Sequence, residues 1–152
     1  MIKLQQCNIL NLPENYNYMY YAYHSTSWPH LLFLAEDDGG KCVGYVLAKL
    51  EDEDNDKNKA KKEKPDYRPE AHITSLSVLR THRKLGLATK LMKCAQYQMM
   101  NVYGCDSCSL RVRVTNRAAY TLYKDVLGYE VCGTDKAYYA DKEDAYDMRV
   151  KF

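Results

Sequence analysis

The chain has 152 residues, 46% of them hydrophobic and 28% charged, with a formal net charge of +2. That length suits one domain with a real core, and so small a net charge removes the bulk electrostatic case for binding nucleic acid or a membrane surface. No apolar run approaches the ~20 residues of a membrane-spanning helix, and the opening "MIKLQQCNIL" is too short and polar for a secretory signal, which makes a cytoplasmic setting the default.

Residues 3–11 read as a short amphipathic helix interrupted by Pro13. After "PEN", residues 17–24 read as a second helix, with Asn15 or Asn17 as its N-cap. This stretch, "LPENYNYMYYAYH", places Glu14 just ahead of five of the fifteen tyrosines (Tyr16, Tyr18, Tyr20, Tyr21 and Tyr23). It is open to three readings: a core helix, a partner surface, or the wall of a site in which Glu14 works. Next, "LLFLAED" (31–37), Gly39-Gly40 and "KCVGYVLAKL" (41–50) form a β-hairpin. Residues 51–70, acidic and then basic with two prolines, hold almost nothing to bury and read as a mobile charged loop inserted in the domain.

Order returns with "AHITSLSVL" (71–79), a run of strand formers. A long helix over 86–104 follows, its Leu87, Leu91, Ala95 and Met99 recurring at helical spacing and Gly104 as C-cap. The strand "CSLRVRV" precedes a helix opened by Thr115 or Asn116 and closed by Gly128. Two last strands, "YEVCG" and "DAYDMRVKF", are joined by "TDKAYYADKE". The order α-α-β-β-loop-β-α-β-α-β-β predicts a mixed α/β domain, one sheet with helices packed on it.

Six cysteines suggest disulfides, but this is not a small secreted scaffold. Cys105 and Cys108 form a C-x-x-C that leads into a strand, where an odd separation sends the two side chains to opposite faces. No Cys/His pair completes a zinc site. Six free, mostly buried thiols are expected, and no metal.

The most informative junction is "HRKLGLA", between a strand and a long helix. A helix N-terminus presents unpaired N–H groups and partial positive charge, which suits phosphate. Gly86 lets the backbone come close, Ala88 is nearly as small, and Arg83 and Lys84 add charge. It is neither a G-x-x-x-x-G-K-[ST] loop nor G-x-G-x-x-G, so nucleotide hydrolysis and dinucleotide binding are disfavoured.

Strand, R-x-x-G-x-A turn, long helix, strand and then "NRAAYTLY" resemble the GNAT family of acetyl-CoA-dependent N-acetyltransferases. The resemblance implies a turn that wraps the cofactor's pyrophosphate through Arg83, Lys84, Gly86, Leu87 and Ala88. It implies that the preceding strand, at Leu76, Ser77 and Val78, holds the pantetheine arm and polarises the thioester. It further implies that Asn116 contacts the cofactor arm and Tyr123 lies near the sulfur as acid for the departing thiolate. The fold implied is the GNAT fold, a mixed, mostly antiparallel sheet flanked by helices over residues 1–152.

Within that family, "LPENY", "YHSTSWPHL", "AEDDGGKCVGYVLAK", "HITSLSV", "HRKLGLATKLM" and "KAYYADKEDAYDMR" look like the catalytic subunits of NatA complexes, which acetylate protein α-amino groups. The likeness implies acetyl-CoA as cosubstrate and a large helical-repeat, TPR-type auxiliary subunit as partner, with nascent N-termini met at the ribosome. In complex, Ser, Ala, Thr or Gly N-termini are expected; free, acidic Asp or Glu ones. It implies a peptide pocket rimmed by Leu12, Pro13, Glu14 and Tyr16 on one side and by Tyr138 and Tyr139 on the other, with His72 and Arg113 at or near it. Glu14 is the candidate for positioning or deprotonating the amine, and Tyr139 closes the site. The bland readings are a core histidine at His72, a solvated strand residue at Arg113, loop packing at Tyr138 and Tyr139, and a helix-start carboxylate at Glu14.

One feature departs from the family pattern: the fold normally begins with a strand ahead of the helix in which this chain opens. Without it, strand 31–37 is left at a sheet edge, open to self-association. The competing functions are acetylation of internal lysines or another amine, and a poorly active acetyl-CoA-binding subunit.

Overall fold

A computed structural model describes residues 2–51 and 67–152. In chain order it holds α1 (Ile2–Ile9), α2 (Tyr18–Ser27), β1 (Leu32–Glu36), β2 (Cys42–Leu50), β3 (Glu70–Val78), α3 (Leu87–Asn101), β4 (Ser107–Arg113), α4 (Arg117–Thr121), β5 (Glu130–Asp135) and β6 (Ala145–Lys151). The strands make a six-stranded sheet in the order β1-β2-β3-β4-β6-β5. Pairs β1/β2, β4/β6 and β5/β6 are antiparallel. Most of the charged insertion, residues 52–66, lies outside the described residues. Its end is not loop, because Glu70 already belongs to β3.

Contacts divide the chain into two units, Met1–Lys49 with Ile73–Tyr103, and Leu50–His72 with Gly104–Phe152. In the first, α1 buries Leu4, Cys7 and Asn8, which share one face at i, i+3 and i+4. That face packs with Tyr21 of α2, with Val43, Tyr45 and Leu47 of β2, and with Leu79. The helix ends earlier than residue 11, where Asn11 and Leu12 both donate to the Asn8 carbonyl. At α2 the cap is Asn17, whose side chain accepts from the Tyr20 amide at 2.9 Å. Tyr21 and His24 face the core, whereas Tyr18, Met19 and Tyr23 are exposed.

In the hairpin, the Asp37 carboxylate accepts from the Gly39 and Lys41 amides, and a register shift falls between Ala35 and Glu36. β2 is buried without a break from Cys42 to Ala48, so the alternation of a half-exposed strand is missing. A side chain at Gly44 would be tight: its Cβ would lie 3.1 Å from the Ser77 carbonyl oxygen and 3.2 Å from Val78 Cγ2, so the neighbouring strand would have to give by a few tenths of an ångström. α3 buries Leu91, Met92, Ala95 and Met99. Its C-cap is Val102 rather than Gly104, which turns the chain two residues later with φ 67°.

In the second unit, β4 and β6 bury Cys108, Leu110, Val112, Ala145 and Met148. Arg111 lies opposite Asp147 in the β4/β6 register and bonds both Asp147 and Asp135. The helix expected over 116–128 breaks in two. α4 ends at Thr121 and a π-helical turn, Leu122–Val126, follows, with the Leu127 amide reaching back five residues to the Leu122 carbonyl. Such turns recur at functional sites.

All six cysteines are free; Cys7, Cys42, Cys105 and Cys108 are buried, Cys94 and Cys132 exposed. Cys105 precedes β4, so the strand-alternation argument does not reach it. No metal-binding cluster occurs among the described residues, and none of their helices is long and apolar enough to cross a membrane.

Candidate active site

The turn between β3 and α3 carries the residues expected to meet the cofactor's pyrophosphate. Lys84 has φ 61° and Gly86, the residue that caps α3, has φ 76°. Positive φ at both residues makes a tight turn ahead of the helix. No side chain caps α3. Its first internal bond runs from the Lys90 amide to the Gly86 carbonyl, which leaves the Leu87, Ala88 and Thr89 amides ahead of it for a ligand. Among the described residues, nothing beyond its own chain neighbours lies within 4 Å of where a Gly86 Cβ would stand. Arg83 is folded back, its Nε donating to the Val78 carbonyl at 3.0 Å; its two terminal nitrogens are not used in that bond. Sequence reasoning named Arg83, Lys84, Gly86, Leu87 and Ala88 but not the amide of Thr89. On the strand leading in, Leu76 and Val78 are half-buried and Ser77 is buried.

In the same unit, the α1–α2 loop carries Leu12, Pro13, Glu14 and Tyr16. Pro13 is exposed and the other three are half-buried. The loop is pinned from α1: Gln5 donates to the Tyr16 carbonyl and Asn8 to the Glu14 carbonyl, at 3.4 and 3.1 Å. Tyr16 stacks on Tyr20 at 4.4 Å, and Tyr20 lies 4.3 Å from His24.

The second unit gathers the remaining candidates. Tyr123 sits in the π-helical turn with 8% of its surface exposed. Burial, and after it the neighbouring Tyr139 and Cys108, push its hydroxyl pKa well above the ordinary tyrosine value. It therefore stays protonated at neutral pH, the form that can donate a hydrogen bond. Asn116 is the N-cap of α4, its side-chain oxygen accepting from the Ala119 amide at 3.2 Å; its Nδ2 is the end that can reach a ligand. Arg113, at the end of β4, bonds Asp141 at 2.7 Å and Glu143 at 2.6 Å. Its guanidinium lies 4.0 Å over the Tyr139 ring, and Tyr138 packs edge-on against Tyr139 at 5.1 Å. Thr115 adds two bonds to Glu143. The β5–β6 loop is thus fastened to the end of β4.

His72 Nδ1 meets Ser109 Oγ at 2.8 Å and Glu51 Oε1 at 3.3 Å. A Ser-His-Glu grouping suggests a nucleophile relay, but both partners address the same ring nitrogen and Ser109 is wholly buried. An acyl-enzyme needs a nucleophile that a substrate can reach, and a wholly buried serine is not one, so the cluster reads as a structural tie.

A family model matches residues 3–129, that of the Acetyltransferase (GNAT) family. The chain belongs to this family. It is 54% identical over 149 residues to the N-terminal acetyltransferase A complex catalytic subunit NAA10 of Arabidopsis thaliana, covering 98% of this chain and 71% of that protein. It is 50% identical to the N-terminal acetyltransferase A complex catalytic subunit ard1 of Schizosaccharomyces pombe, covering 98% and 78%. Among solved structures it is similar to Chaetomium thermophilum Naa20 in complex with a bisubstrate analogue, with TM-score 0.83, 32% identity, and 100% and 82% of the two chains covered.

In this GNAT chain, the ties of Asn8 to Glu14, of Asp141 and Glu143 to Arg113, and of Ser109 to His72 escape sequence reasoning. Each joins residues far apart in the chain except the first, whose partner is a backbone carbonyl, and no local pattern marks a bond of that kind.

Proposed function

We propose that this GNAT protein transfers an acetyl group from acetyl-CoA to the α-amino group of protein N-termini, acting as the catalytic subunit of a NatA-type complex. The observation that carries the reading is the uncapped N-terminus of α3, headed by left-handed Lys84 and Gly86 beside Arg83. Amides, dipole and charge together fit a pyrophosphate. The reading takes residues 1–152 as one GNAT domain.

When bound, acetyl-CoA supplies the acetyl group as an activated thioester. Amides at the Leu76–Val78 end of β3 are assigned the arm and the charge that grows on the carbonyl oxygen. Asn116 adds a contact to the arm. An α-amine has a pKa of ~7.7–8.0 and needs only modest help to lose its proton, so Glu14 is assigned to orient it and to take that proton directly or through a water. Leu12, Pro13 and Tyr16 on one loop, and Tyr138 and Tyr139 on the other, are assigned the first peptide residues. Tyr123, its pKa above that of a thiol, donates a hydrogen bond to the departing thiolate rather than surrendering its proton outright. His72 and Arg113 are read as holding the substrate-side loops and strands in register.

The exposed Tyr18, Met19 and Tyr23 on α2 support contact with a TPR-type auxiliary subunit, through which the enzyme would meet nascent chains at cytoplasmic ribosomes. β1 stands at one end of the strand order, where unpaired backbone groups also favour self-association of the isolated chain. Ser, Ala, Thr and Gly N-termini are the substrates assigned to the complex, and Asp and Glu ones to the free subunit. The test is acetyl transfer from acetyl-CoA to peptides beginning with Ser, Ala, Asp, Glu or Met, alongside an N-blocked lysine peptide. Transfer to free α-amines is expected; transfer to the lysine peptide alone would overturn the reading, and no transfer at all would favour a silent acetyl-CoA-binding subunit.

A further inference from the structure

Asn8 is wholly buried on α1 and spends both protons of its amide. One goes to the Glu14 carbonyl at 3.1 Å, the other to the Tyr45 hydroxyl at 2.9 Å. Tyr45, fully buried on β2, shares a 2.7 Å bond with Ser75 Oγ on β3. Ser75 directly precedes Leu76, where the strand assigned to the cofactor arm begins. Because the Glu14 carbonyl can only accept, the orientation of the Asn8 amide is fixed. Its Oδ1 is buried and meets no donor among the described residues. A buried unpaired acceptor is costly, and an apolar side chain of similar size avoids that cost. What such a side chain cannot do is hold the loop and the phenol together.

We infer that Asn8, backed by Tyr45 and Ser75, is a positioning residue that sets the place of Glu14 relative to β3. The inference rests on the role assigned to Glu14 above. The chain of bonds runs from α1 to the substrate loop and through β2 to β3 within one unit of the fold. It is short and buried, and every link but one is a side chain that can be removed singly. Displacing a reacting group by about 1 Å can cost on the order of a hundredfold; loosening one link of three is expected to cost about tenfold.

The test is a double-mutant cycle in the full chain with the fastest peptide of the panel above. Tyr45→Phe removes only the hydroxyl and keeps the packing; Asn8→Ala removes the hub. Expected are a roughly tenfold fall in kcat/KM for the peptide with Tyr45→Phe, an unchanged calorimetric Kd for acetyl-CoA, and less than a twofold further loss when Tyr45→Phe is added to Glu14→Gln. Equal losses in both backgrounds would show packing damage and overturn the positioning role while leaving that of Glu14 intact. An unchanged rate in Glu14→Gln alone overturns the carboxylate's role, and the positioning role with it. Asn8→Ala should match or exceed Tyr45→Phe; a smaller loss places the hub elsewhere.

Discussion

The guanidinium of Arg113 lies 4.0 Å over the ring of Tyr139 while the same group bonds Asp141 and Glu143. One side chain at the end of β4 therefore fixes both the aromatic wall and the acidic tip of the β5–β6 loop. The cation is engaged on its face and at its edge, a combination that a planar fork supplies and an ammonium does not. Arg113→Lys should accordingly cost nearly as much as Arg113→Ala. We expect a ten- to hundredfold fall in kcat/KM for the peptide, with acetyl-CoA affinity little changed. Steady-state kinetics in both substrates, with Asp141→Asn as a milder companion, check it.

Gly86 is assigned to the other substrate, acetyl-CoA. Its φ of 76° costs an L-residue ~1–2 kcal/mol. Among the described residues, no atom beyond its own chain neighbours opposes a new Cβ within 4 Å, so Gly86→Ala should fold with a modest loss of stability. The penalty should appear as a raised KM for acetyl-CoA at unchanged peptide KM. Gly86→Asp, which adds negative charge to the cradle, should be worse by a further factor of ten or more.

Tyr123→Phe keeps the ring and removes a donor held in its protonated form by burial. The expected result is a kcat ten- to a hundredfold lower with both KM values near normal. Because the pKa is displaced upward, the hydroxyl is still protonated at the ordinary tyrosine value. The wild-type kcat should thus show no loss from this group as pH rises from 7 to about 10. A descending limb in that range that disappears in Tyr123→Phe would contradict this assignment.

His24 ties stability to pH. It is buried against Tyr20, Tyr23 and Trp28, with Nδ1 donating to the Tyr20 carbonyl at 3.0 Å. Burial, helped by the nearby charge of Lys49, lowers its pKa below 6.5. The folded state thus binds the proton less readily than the unfolded one. Stability is fully present above about 6.5 and is lost as pH falls from there toward the folded-state value. Thermal unfolding followed from pH 8 to 5 should show a decline that His24→Gln flattens.

Much of the fold is legible in local pattern. Leu91, Ala95 and Met99 give α3 its inner face, Asn17 and Asn116 cap the helices they precede, and the R-x-x-G-x-A spacing marks the positive-φ turn at Gly86 that opens α3. The misses have a common cause. The engagement of Arg113 and the continuous burial of β2 follow from neighbours supplied by distant segments. Periodicity is silent about such neighbours.

What the sequence by itself determined is the order of the elements, the glycine turn that opens α3 and the family to which the chain belongs. Each is written in residues close together, where spacing alone sets which side chains share a face or which amides are left unpaired. Tertiary structure alone decided that Asn8 holds the carbonyl of Glu14, that Tyr45 and Ser75 stand behind it, and that Arg113 carries Tyr139. Those contacts form because packing brings the partners together, within 3.1 Å for the hydrogen bonds of Asn8 and Tyr45 and 4.0 Å for the Arg113 guanidinium over the ring, and removes water that would otherwise satisfy the buried polar groups.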